Sequence, residues 1–470
     1  MRTRFIQYLA GGALAVSVGI PVTLAQTVTG SITGEVTDPS GAVVPNAKVT
    51  AENVDTGVRT QATTNAAGVY SIRFLPIGHY RVVVAATGFS SETVPPFMLE
   101  INQTVKLNEA LSVGATSVIE VNSGSAPILN TTDGTLGITV STNEIANLPL
   151  NGRNFSSITL FQPGAVTTDP TGLTTGANAL ERNTTSNGIA SINGNRNQAN
   201  NYTLDGVDLN EGQNNLIGYS PAPDAIGELK VISANAPATY GNVNGGSVIS
   251  VLKSGTNQFH GSAYGYLQNN KLDANSWSNK HQTPIIPTNP YTQSMFGGTI
   301  GGPILHDKLF FFADYEGVRF HTGGLGMASV IPQAFRNGDF SSLGFQLYNT
   351  NQLDATGKNF QPYANNQVPV LNPVAKYLFA HPELYPLPNA TPTKGDPALN
   401  NFQGPTRNIK VNNQGDFKID WRATQRDTVS GRICRTLATS TERMEPFCCS
   451  DSNLRAITLA FISTLQALDS

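Results

Sequence analysis

Charge is scarce in this chain. Only 13% of its 470 residues are Asp, Glu, Lys or Arg, and the net charge is −3. A coiled coil, built from charged helix formers, is therefore excluded, as is the basic footprint of a nucleic-acid binder. Cysteine is scarcer still. Cys434, Cys448 and Cys449 are the three present, all near the end, so no disulfide framework runs through the body. Beyond the first 26 residues no apolar run is long enough for a membrane helix. The six His are scattered. No His-Glu-x-x-His pair of zinc ligands, no Gly-x-Ser-x-Gly nucleophile turn and no Gly-rich phosphate loop ending in Lys-Ser or Lys-Thr occurs. The sequence offers no enzyme chemistry, and no catalytic residue is expected.

What is present is turn-forming. Gly 45 and Pro 28 together make about one residue in six, and apolar residues, at 39%, fall below the usual share for a globular chain. With abundant Asn, Thr and Val, this composition points to exported β-structure. The N-terminus agrees. Arg2 and Arg4 charge the start, residues 8–24 are apolar and uncharged, and Thr23-Leu24-Ala25 places a small residue at the end. That is the three-zone pattern of a secretory signal peptide over residues 1–26. Gly11, Gly12, Gly19 and Pro21 interrupt the run and argue against a membrane anchor.

Residues 27–111 read as a β-sandwich. Apolar runs at 32–36, 47–53, 69–74 and 80–86 are separated by Asp38-Pro39-Ser40-Gly41, Asp55-Thr56-Gly57, Asn65-Ala66-Ala67-Gly68 and Leu75-Pro76-Ile77-Gly78. Turn signals every ten or so residues between alternating strands are the sandwich signature. The stretch Gly34-Glu35-Val36-Thr37-Asp38-Pro39-Ser40-Gly41, the later Asn65-Ala66-Ala67-Gly68-Val69-Tyr70 and the Thr87-Gly88-Phe89 turn resemble a carboxypeptidase-regulatory-like domain. Despite its name, that family implies a structural or adhesive module, not a catalytic one.

Residues 112–253 are rich in Asn, Thr and Gly. Four phrases stand out: Leu148-Pro149-Leu150-Asn151-Gly152-Arg153-Asn154-Phe155; Asn201-Tyr202-Thr203-Leu204-Asp205-Gly206-Val207-Asp208; Ile226-Gly227-Glu228-Leu229-Lys230-Val231-Ile232; and Tyr240-Gly241 followed by Gly245-Gly246-Ser247-Val248-Ile249-Ser250-Val251. They read as short strands cut by turns, with Leu229, Val231, Val248, Ile249 and Val251 as core. In this order, after such a sandwich, they resemble the plug domain of TonB-dependent outer-membrane receptors of the Oar-like type. The resemblance implies a plug inside a 22-strand barrel, with Asn151, Gly152, Arg153, Asp205, Gly206 and Asp208 as plug motif residues. It also implies a TonB-type inner-membrane energy-coupling complex as partner, gripping a short segment by strand addition. Val118, Ile119, Glu120 and Val121 are the candidates, with an ordinary linker strand as the alternative. Asp205, Asp208 and Glu211 lack the oxygen-ligand spacing of an EF-hand. They are read as a turn in which Asp205 satisfies backbone N–H groups, and no metal or other cofactor is expected.

From 254 to 433 the texture is that of a partial transmembrane barrel. Phe259, Gly261, Ala263, Gly265 and Leu267 alternate with His260, Ser262, Tyr264, Tyr266 and Gln268. Leu309, Phe311, Ala313 and Tyr315 face away from Asp314 and Glu316, while Phe417, Ile419 and Trp421 alternate with Asp416, Lys418 and Asp420. One apolar and one polar face per strand is the transmembrane β-strand signature. Gly297-Gly298 and Gly301-Gly302 suit a strand on which neighbours pack closely. Residues 424–427 read as a periplasmic turn and residues 321–410 as a long external loop. Four or five strands are expected, and an unclosed sheet leaves edge groups unpaired in the membrane. Alternation is expected to stop after Ile433. The Gly-free, Cys-bearing tail at 434–470 suggests a frameshift or, alternatively, a diverged segment in which residues 456–468 form a short apolar helix.

The expected fold class is thus mainly β: N-terminal sandwich, mixed plug and the start of an incomplete barrel. The expected location is the outer membrane, and the expected role is gated ligand uptake energised from the inner membrane. The ligand itself has no signature in the sequence. An exported carbohydrate- or protein-binding adhesion protein without transport is the rival.

Overall fold

The computed structural model of the chain describes residues 28–114, 119–120, 134–167, 190–212, 215–240, 244–393, 396–424, 427–444 and 456–466. The signal-peptide segment, Ser117, Val118, Val121, Cys448 and Cys449 lie outside the described residues.

Strand β1 (Gly30–Thr37) alternates perfectly between inward and half-exposed residues, sending Ile32 and Val36 into a core that excludes solvent. Next come β2 (Lys48–Asn53), β3 (Arg59–Thr63), β4 (Val69–Leu75) and β5 (Gly78–Ala85). The sequence continues into β6 (Glu92–Leu99), β7 (Thr104–Lys106), β8 (Glu109–Ala110) and β9 (Ile119–Glu120). Sheet β4-β1-β7, with β8 also on β1, faces sheet β3-β2-β5-β6-β9. Val49, Ala51, Tyr70, Ile72, Tyr80, Val82 and Val84 fill the space between them. The Tyr70 hydroxyl donates to the Leu107 carbonyl at 3.0 Å, and burial raises the pKa of its phenol above its ordinary value. Strands β3 and β6 carry little apolar periodicity. The first has Ala62 as its one apolar residue, and the second contains Pro95 and Pro96, beyond the short β6–β9 pairing at Glu92 and Thr93.

The second body uses β10 (Leu136–Ser141), β11 (Ala165–Val166), β12 (Ser191–Ile192), β13 (Asn201–Leu204), β14 (Val207–Asp208), β15 (Ile226–Ala234) and β16 (Ser247–Leu252). Its main sheet has the order β10-β15-β16-β13-β14, with β13 parallel to β16. Both faces of β15 and β16 are buried, and the two faces serve different neighbours. Leu229, Val231 and Val248 join Phe155, Ile158 and Tyr202 in the body's own core. Ile232, Ile249 and Val251 point the other way and meet Ile101 of the sandwich.

The third body is a six-stranded antiparallel sheet, β17 (His260–Asn269), β18 (Tyr291–Leu305), β19 (Leu309–Ala328), β22 (Phe402–Arg422), β23 (Thr428–Met444) and β24 (Ala456–Gln466), joined in that order. The small pair β20 (Tyr348–Leu353) and β21 (Phe360–Pro362) lies in the connection between β19 and β22. Three sequence expectations are corrected here. The external connection is 329–401, shorter than 321–410, because β19 and β22 stay in register from Leu309 opposite Trp421 out to Ala328 opposite Phe402. Alternation does not stop at Ile433. Strand β23 runs on to Met444, and Cys434 faces inward, 2% exposed, opposite Asp416. Of the segment at 456–468, the described residues Ala456–Gln466 add a sixth strand along β23 instead of a helix. An edge of unpaired N–H and C=O groups is a stronger template for this apolar segment than helix propensity.

Candidate functional site

The inner wall of the six-stranded sheet carries the polar half of the alternation. On β19, Phe312, Asp314 and Glu316 are buried while Phe311, Ala313 and Tyr315 turn outward. On β22, Gln414, Asp416 and Lys418 point inward. The second body, read from the sequence as a plug, rests on this wall, and two of its turns supply the ionic contacts.

The first is the single 3-10 turn Asn151–Arg153, in which Gly152 (φ 68°) and Arg153 (φ 50°) are both left-handed. Two successive residues in that region reverse the chain and throw the Arg153 side chain out of the plug. Its guanidinium pairs with Asp224 of the plug, and its Nε lies 3.5 Å from Glu316 Oε2 of the wall. The same group sits over two aromatic rings of β17, Tyr264 at 4.4 Å and Tyr266 at 4.7 Å. Glu316, 2% exposed, also accepts from the Tyr264 hydroxyl at 3.1 Å and from Gln414 Nε2 at 2.9 Å. A side chain at Gly297 would place its Cβ 2.6 Å from that Tyr264 hydroxyl. The glycine makes room for the ring to reach Glu316. A planar, fully charged guanidinium is the one side chain that can stack on rings and bridge two carboxylates at once.

The second turn joins β13 to β14. Asp205 (φ 48°) and Gly206 (φ 81°) form it. Asp205 Oδ1 accepts from the Leu252 N–H at 3.1 Å, which closes the turn onto β16. The carboxylate then meets two barrel cations, Lys418 Nζ at 3.4 Å and Arg432 Nη1 at 2.9 Å. These cations are neighbours across the β22–β23 ladder. Without Asp205 they would repel one another in a buried site. Between the two turns, the Tyr219 hydroxyl donates to Asp416 Oδ2 at 2.7 Å. An apolar patch of Leu204, Tyr219, Ala222, Ala225 and Leu252 closes on Phe312 and Cys434.

The structure therefore places Gly152 and Arg153 in one turn and Asp205 and Gly206 in another, each against the wall at a different point. Asp208 stays apart, exposed, and accepts from the Asn210 N–H at 2.8 Å. Asn151 contributes backbone to the first turn. Of the candidate coupling segment, Ile119 and Glu120 form β9, which lies parallel to β6 with Ile119 opposite Glu92. Asp205 uses its oxygens on a backbone N–H and two cations. Sequence reasoning did not single out Asp224, Tyr219, Gln414 or Arg432. It placed Tyr264, Glu316 and Lys418 on the polar face without seeing their partners. The available signal was charge on the inward face of a strand, where a buried charge requires a counter-charge from elsewhere.

Residues 31–112 match the Carboxypeptidase regulatory-like domain family and residues 251–454 the Outer membrane beta barrel domain family. The TonB-dependent transporter Oar of Myxococcus xanthus is 26% identical over 281 residues, 57% of this chain and 24% of that protein. Among solved structures, the siderophore receptor PirA from Acinetobacter baumannii aligns over 65% of this chain and 32% of its own, with 15% identity and a TM-score of 0.35. The outer membrane transporter YddB from Escherichia coli aligns over 65% and 33%, with 12% identity and a TM-score of 0.37. The chain spans about a quarter of the length of the curated relative it matches. With its regulatory-like sandwich, its outer-membrane barrel strands and its likeness to Oar, the chain is similar to the Oar-like TonB-dependent outer-membrane receptors.

Proposed function

We propose that the chain acts in ligand uptake across the outer membrane, with its plug held on the barrel wall until a TonB-type inner-membrane complex pulls it. In this reading residues 27–111 are the sandwich, 112–253 the plug, and the barrel starts at 254 and continues through β24. The mechanism is gated passage, in which no covalent bond changes. One observation carries it. The plug's turn residues Arg153 and Asp205 both carry charge to the barrel wall, Arg153 while also pairing with Asp224 of the plug. Ion pairs across such an interface hold strongly while dry and weaken when water enters. A plug fastened in this way is retained at rest and released once displacement lets water in.

Val118, Ile119, Glu120 and Val121 form the coupling segment in this proposal. The reading is supported by the pairing of Ile119 and Glu120 along β6, since a segment that adds to one sheet edge can add to another. The test is a cysteine scan of positions 116–123 in cells, with cross-linking to the TonB-type protein. Cross-links at alternate positions within 118–121, lost in Ile119→Pro, are expected. Cross-links that ignore this segment would overturn the assignment.

A further inference from the structure

The sandwich touches both of the other bodies, and the two attachments differ in kind. On the plug side, Ile101 projects from the turn between β6 and β7 and is fully buried among Ile232, Tyr240, Ile249 and Val251. Its main chain is held at both ends by plug side chains. The Ile101 N–H donates to Glu228 Oε1 at 2.6 Å, and Lys230 Nζ donates to the Ile101 carbonyl at 2.9 Å. Glu228 and Lys230 are two residues apart on β15, so both project from the face that meets the sandwich. On the barrel side the contacts are polar and wetter. The Asn257 N–H donates to the Asp55 carbonyl at 3.0 Å and Asn257 Nδ2 to the Thr56 carbonyl at 2.8 Å. Arg422 Nη2 donates to the Arg59 carbonyl at 2.6 Å in an exposed position. Gly57 approaches so closely that a Cβ there would lie 2.3 Å from Asp307 Oδ1. A cavity of about 200 Å³ remains where the three bodies meet, lined by Phe74, Ile77 and Tyr80 of the sandwich, Val251 of the plug, and Phe310 and Lys418 of the barrel.

We infer that the sandwich is a strap across the mouth of the barrel, fixed to the plug and releasable from the rim. The asymmetry follows from solvation. Separating Ile101 from the plug exposes Ile101 together with Ile232, Ile249 and Val251 to water, whereas the rim contacts bury little apolar surface and their hydrogen bonds are readily exchanged for bonds to water. Plug and sandwich therefore open as one cooperative unit, and the rim contacts open first. Displacing the plug carries the sandwich with it. This arrangement stands on the contacts alone and does not require the transport reading.

Hydrogen exchange on the full chain in outer-membrane vesicles tests it. In Asn257→Leu, exchange at residues 54–60 is expected to rise at least about tenfold, with Ile101 and β15 changing less than about twofold. In Glu228→Ala, Ile101 and the facing residues of β15 are expected to lose protection together. Glu228→Gln keeps an acceptor for the Ile101 N–H and is expected to retain most of that protection, which separates loss of the clamp from misfolding. Deprotection of Ile101 by Asn257→Leu would mean that the rim holds the sandwich on the plug. An Ile101 amide still protected in Glu228→Ala would mean that the clamp is not the fixing point. Either result overturns the inference.

Discussion

Replacing Arg153 with methionine keeps most of the side chain's length and apolar stem while removing its charge. Two carboxylates then lose their counter-ion: Asp224, with a side chain 14% exposed, and Glu316, with one 2% exposed. Breaking one partner out of a buried ionic cluster costs about 3–5 kcal/mol. Glu316 keeps the Tyr264 hydroxyl and Gln414 as donors, which places the expected loss toward the lower end, about 3 kcal/mol. The stacking on Tyr264 and Tyr266 adds about 0.5–1 kcal/mol per ring. Arg153→Lys keeps a charge but cannot span both carboxylates and both rings, so it should fall between wild type and Arg153→Met. The assay is pulse proteolysis of the plug across a urea series, with the chain in its membrane. Adding Glu316→Gln to Arg153→Met should restore part of the loss, because the uncompensated charge on the wall is then gone. The reasoning is refuted if Arg153→Met lies within about 0.5 kcal/mol of wild type, or if the two substitutions are simply additive.

Three further outcomes are expected. Asp205→Ala strands Lys418 and Arg432 side by side and removes the acceptor for the Leu252 N–H. It should cost about 3–5 kcal/mol in the same urea assay, while Asp208→Ala should stay within about 0.5 kcal/mol. Glu228 titrates at about 7 instead of 4.5, raised by burial and by Glu100 against the opposing Ile101 N–H and Lys230. A raised carboxyl favours the folded state most below 4.5 and loses that contribution as pH rises through 7. Thermal unfolding of wild type relative to Glu228→Gln should therefore show stability falling by up to about 3 kcal/mol across that window, and a flat difference would contradict it. Gly34→Ala would set a Cβ 1.7 Å from the Leu107 carbonyl oxygen. Overpacking of this kind costs about 1–3 kcal/mol or more, read as a lowered melting temperature of the sandwich transition.

The parts of this fold that were legible in the sequence are those with a period. Strand β1 reads from Ile32 and Val36, and the polar rows Asp314, Glu316 and Asp416, Lys418 read from period-2 alternation. The missed elements lack a period or have two. Strand β3 has Ala62 as its one apolar residue and β6 carries two prolines. Strand β15 is buried on both faces, so Leu229 and Val231 could not be told from Glu228, Lys230 and Ile232 by pattern, although the two sets serve different neighbours. The turns at Asn151-Gly152-Arg153 and Asp205-Gly206 were visible as phrases. Their task was not, because the partners Glu316, Lys418 and Arg432 lie between 163 and 227 residues away. No local pattern reports a contact across that distance. The end of the barrel texture was misread because Cys434 and its neighbours break the composition while the ladder with β22 continues unchanged.

The central claim is a membrane sheet with lipid on one side and the plug on the other. Spin labels at Ala313→Cys and Ile419→Cys, on the outward rows of β19 and β22, and at Thr299→Cys, on the inward row of β18 opposite Asp314, test it in native outer membranes. Labels at Ala313 and Ile419 should collide with oxygen dissolved in lipid and be shielded from a water-soluble nickel chelate. The label at Thr299 should be shielded from lipid-dissolved oxygen. Equal access of the nickel chelate to Ala313, Ile419 and Thr299 would mean a soluble sheet and would contradict the account.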